Sequence, residues 1–236
     1  RLVREVTTGG SLAEFAVAAA GNVPAKHFEA VRDPLLALLI EADEDSLPGL
    51  VESLVRLTLR AGQEDLAWQR RLVVALDDDW RTASTGRRAV LAYGVRACGP
   101  WLNQPAVAKQ RSEWLGRLVA CLQDADPIQA IGAGFADEFA VHSLAAFTLH
   151  LDPAQSGTLA YWRAQLDPKR PAEDRSVAVR RLGMAGAAAA SLLDELQVAL
   201  AAESLAVRWS TIRTIEAMGA AALPALATLQ RVARED

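Results

Sequence analysis

Apolar and small residues recur along this chain at helical spacing. Counting from Arg208, Thr211, Ile212, Ile215 and Gly219 fall at offsets three, four, seven and eleven. Thirty-three residues earlier, Arg175 is followed at the same offsets by Ala178, Val179, Leu182 and Gly186, with Gly183 at eight. Such offsets place side chains on one face of an α-helix. Both stretches then run into alanine, as "GAAALPAL" and "GAAAASLL". A weaker copy starts at His142, with Ala145, Ala146 and Leu149, and has Pro153 where glycine is expected. Another starts at Arg88, with Leu91, Ala92, Val95 and Gly99. Glycine after the apolar face supplies the left-handed turn that ends a helix, and proline opens the next one at no cost in hydrogen bonds. A period in the thirties marks stacked helical hairpins, because one hairpin cannot bury its apolar side alone.

The remaining chain also reads as helix. "SLAE" at Ser11–Glu14 predicts a capping box. A helix is expected over about His27 to Ala42, with Pro34 early in it. Two more follow in "LPGLVESLVRLTLRAG" and "EDLAWQRRLVVAL", divided at Ala61-Gly62. Asp126-Pro127, Asp152-Pro153 and Asp167-Pro168 predict N-caps with first-turn prolines. No stretch alternates valine, isoleucine, threonine and aromatics as a strand would. The expectation is an all-α chain of about six hairpins.

"RSVAVRRLGMAG" and "VRWSTIRTIEAMG" resemble the HEAT repeat, in the short bacterial form shared with bilin-lyase-type proteins. That form reads roughly V-R-x-x-A-x-x-x-L-G-x-x-G before a second helix opening near proline. The likeness covers about residues 174 to 236, with Thr211 and Glu216 departing from it. It implies a right-handed α-solenoid over 1–236: divergent acidic hairpins in 1–80, a basic hairpin in 81–123 and regular repeats in 124–236. It also implies a protein-protein interaction scaffold or regulatory binding module working through a concave face. The alternative is an enzyme on the same scaffold, resembling either alkylpurine DNA glycosylases or bilin lyases. For a glycosylase, Trp114 beside Glu113 is the nearest counterpart of the family's tryptophan and carboxylate. For a lyase, Cys98 and Cys121 are the only cysteines near which a chromophore could be held.

Composition narrows the picture. Half of the 236 residues are hydrophobic, at 51%, so a sizeable core can form. The 22 arginines against 3 lysines, with abundant alanine, reflect a GC-rich genome, and the resemblance implies a bacterial one. Two cysteines are no disulfide framework, and free thiols are expected. No uninterrupted apolar run reaches the roughly 18 residues of a membrane span, and no signal peptide is visible, so a cytoplasmic protein is expected. The net charge of −4 gives no general attraction to nucleic acid.

The charge is unevenly spread. Residues 1–80 carry a net −6, residues 81–123 a net +6 and residues 124–174 a net −5. The expected partner surface is therefore the basic band, facing an acidic protein surface or self-associating with the acidic N-terminal zone. A helix from about Pro105 to Asp124 carries an apolar stripe at Leu115, Leu118, Val119 and Leu122. Gln110, Trp114, Arg117 and Cys121 share one flank. Trp114 offers a rigid anchor and Arg117 a fork for a carboxylate, with Lys109 and Arg111 adjoining. Packing of Trp114 against a neighbouring repeat is the other reading. The candidate partner-binding residues are thus Gln110, Trp114, Arg117, Arg111 and Lys109.

No phosphate-binding, dinucleotide-binding, zincin or nucleophile-elbow motif is present. Glu138 and His142 share a helix face, but His150 is too distant to complete a metal shell with them. No catalytic residue, metal or cofactor is expected. The acidic runs Glu41-Asp43-Glu44-Asp45 and Asp77-Asp78-Asp79 read as solvated helix-capping acid. The arginines Arg88, Arg175 and Arg208 read as ties between repeats, with Asp174 and Glu203 as local partners.

Overall fold

The computed structural model describes residues 22–62, 64–124, 129, 131 and 140–235. The expected features at Ser11–Glu14, Asp126-Pro127 and Glu138 lie outside these residues. Every regular element among them is a helix. The chain divides into two compact units, residues 1–144 and 145–236.

In the first unit, α1 spans Phe28–Glu41, α2 Leu47–Ala61, α3 Leu66–Trp80 and α4 Thr85–Val95. A 3₁₀ turn, the short α5 (Gly99–Leu102) and a second 3₁₀ turn lead to α6, Ala108–Gln123. The boundaries follow local chemistry. Gly62 ends α2 at φ 94°, a conformation that side chains resist. Asp65 and Ser84 accept hydrogen bonds from the amides of Trp68 and Arg87, capping α3 and α4. α4 packs on α2 and α3 through Gly94, where an added Cβ would lie 3.0 Å from Val51 Cγ1 and 3.3 Å from Leu76 Cδ2. The core is leucine-rich, with Leu35, Leu39, Leu54, Leu72, Leu91 and Leu102 fully buried.

The second unit begins inside α7 (Ala140–Leu151), followed by α8 (Ser156–Gln165), α9 (Ala172–Gly183), α10 (Leu193–Leu200), α11 (Leu205–Met218) and α12 (Leu226–Glu235). Here the 33-residue period is visible as structure. Ala172 and Leu205 open the first helices, Gly186 and Gly219 open 3₁₀ turns, and Leu193 and Leu226 open the second helices. Gly186 and Gly219 both have positive φ, 53° and 58°. α9 stacks along α11: Ser176 Oγ lies 3.1 Å from Ser210 Oγ, and Thr214 Oγ1 donates to the Val179 carbonyl at 2.7 Å. Trp162, Leu159 and Leu166 are buried together, as their spacing predicts.

Two expectations are corrected. Asp152 and Asp167 accept from the amides of Ala154 and Lys169, two residues on. They form Asx turns in the connections, while Gln155 and Pro171 occupy the cap positions. Arg208 donates to the carbonyls of Ala202 and Glu203, so Glu203 is a local partner through its backbone. Asp174 pairs with Arg170 and not with Arg175. The C-terminal run Leu205–Arg234 is long and apolar enough to cross a membrane by length and composition alone. It is broken at Gly219, however, and the buried side of α11 is spent on α9.

Candidate functional site

Part of the basic band is neutralised within the first unit. The last turn of α3 carries Asp77, Asp78 and Asp79, and arginines from three directions close on it. Arg117 of α6 pairs with Asp77 at 2.5 Å, and Arg81 pairs with Asp77 at 2.9 Å and with Asp78 at 3.5 Å. Arg87 of α4 grips both oxygens of Asp79 through Nε at 2.9 Å. Its two Nη atoms continue to the carbonyls of Ala42 and Leu39 at the end of α1. The Arg87 and Asp79 side chains are only 12% and 10% exposed. Asp77 and Asp79 therefore clamp helices together, while Asp78 stays exposed to solvent. Three of the band's seven cations, Arg81, Arg87 and Arg117, are thus paired with aspartates of α3.

The same geometry relocates the five candidate residues. Trp114 is buried, 1% exposed, and meets Trp80 edge-to-face at 5.4 Å between centroids. The Arg117 guanidinium sits 4.7 Å from the Trp114 ring and 5.2 Å from Trp80, a cation–π arrangement already filled from within. The buried face of α6 is Trp114, Leu118, Val119, Cys121 and Leu122, with Leu115 at its edge. Trp114 belongs to the core and cannot anchor a partner or receive a flipped base. Lys109 and Gln110 are exposed, with Lys109 Nζ 3.8 Å from Glu113, and Arg111 is half-exposed. The structure thus separates the five: two lie on the surface, one is at its edge, and Trp114 and Arg117 are packed against α3.

The remaining candidate chemistry is also structural. Cys98 and Cys121 are free, buried thiols. Burial pushes both up, Cys121 to about 11, so each stays protonated and neither is presented to a ligand. Asp43 accepts from the hydroxyl and amide of Ser46, which holds its carboxyl below the usual value. Glu44 accepts from Ser84, joining the start of α2 to the start of α4. Among the described residues no three histidine, cysteine or acidic groups cluster as metal ligands would.

The surface that stands out is on the second unit. Along α11, Leu205, Trp209, Ile212 and Glu216 share the face opposite the one packed on α9. Leu205 is 68% and Trp209 62% exposed. This stripe runs into a largely apolar groove of about 330 Å³ between α11 and α12, lined by Ile212, Ile215, Leu223, Leu226 and Leu229 with Glu216 among them. The 33-residue register could have found it. Positions 176, 179 and 183, which meet α11, are serine, valine and glycine; their counterparts 209, 212 and 216 are tryptophan, isoleucine and glutamate. Compared with known proteins, the chain matches no family model, no curated protein and no solved structure.

Proposed function

We propose that the protein is a binding module built from short HEAT-like hairpins stacked as a right-handed α-solenoid, acting by surface complementarity with a protein partner. The observation that carries the reading is the exposed apolar stripe Leu205–Trp209–Ile212 leading into the α11–α12 groove. The outer face of a repeat that met only solvent would be polar. This one offers a large aromatic side chain over a shaped apolar groove, the composition of interface hot spots. The enzyme alternatives drew on Trp114 and the two cysteines, all of them core residues here, so binding is the better supported reading. A photo-crosslinking amino acid placed at position 209, in the protein expressed in its native host, tests it. Discrete protein adducts are expected. A folded protein that gives none at 209 would end this reading.

A further inference from the structure

We draw no further inference here: the strongest candidate, the exposed apolar face of α11 and α12 around Trp209 and its groove, belongs to the site already described, and nothing in the structure shows what covers it.

Discussion

Arg87 and Arg208 show how single side chains hold these helices in place. Each reaches past its own helix to the carbonyls that end an earlier segment, Leu39 and Ala42 for the first, Ala202 and Glu203 for the second. Guanidinium suits the task because its donors point in several directions at once. A structural role for Arg208 was legible from its recurrence, but that of Arg87 was not. The repeat register marked its neighbour Arg88, and spacing cannot decide which of two adjacent arginines turns inward. The cysteines yield a prediction at the same scale. In the unfolded chain a thiol ionises near its ordinary value of 9.0, whereas folding holds Cys121 up to about 11 and Cys98 higher still. Between these values the folded state keeps protons that the unfolded state has lost, so stability is intact below pH 9 and falls above it. The slope should reach about 1.4 kcal/mol per pH unit for each thiol. Denaturant midpoints measured from pH 8 to 11 should therefore decline, and less steeply in a Cys98→Ala, Cys121→Ala double variant. Equal slopes for the two proteins would contradict this account.

At the scale of elements, the helices of the second unit follow the 33-residue period closely because glycine fixes where each 3₁₀ connection begins. Gly186 has φ 53°, and an added Cβ would lie 3.5 Å from the Ala217 carbonyl oxygen. Gly116, by contrast, sits exposed in the middle of α6 with open space around it. The same substitution should therefore act in opposite directions. Gly186→Ala is expected to lower stability by about 1 kcal/mol, and Gly116→Ala to raise it by about 0.5 kcal/mol, as thermal melting would show. What the pattern did not disclose was the orientation of α6. Its apolar stripe accounts for Leu118, Val119 and Leu122, but the buried face also takes in Trp114 and Cys121, an i, i+4, i+7, i+8 set centred nearer Leu118. An arginine and a tryptophan on a basic helix suggested a surface, yet a tryptophan with an aromatic neighbour and a cation above it is equally at home in a core. The pairs Asp152-Pro153 and Asp167-Pro168 misled for a related reason. The preference of aspartate for helix starts and for Asx turns arises from one property, a short acceptor side chain, and the two cannot be separated without knowing where the next helix begins.

For the whole molecule, the absence of alternating strand patterns made the all-helical class legible, and each unit's core is the leucine and alanine surface that the spacing implied. The functional surface was less legible. Charge summed along the sequence pointed to residues 81–123, but charge along a chain becomes a surface potential only if the fold keeps it apart. Here Asp77 and Asp79, at the end of the acidic segment, are taken up by Arg117 and Arg87 from the basic one. That clamp has a consequence for how the chain can be divided. Neither side is electrostatically self-sufficient: residues 1–80 alone carry −6, and residues 81–236 carry +2 with a net +6 gathered in 81–123, next to the cut. Severing the backbone between Trp80 and Arg81 should leave two pieces that seek each other in solution. Their reassociation should be fast and strongly retarded by salt, since the opposing charges steer the encounter before any apolar surface meets. Stopped-flow mixing of the two peptides, followed by tryptophan fluorescence as Trp80 and Trp114 regain contact, would measure it; rates indifferent to ionic strength would show that apolar contact alone guides the halves together. The salt bridges would then serve as an address label, telling the second half of the unit where on the first half it belongs.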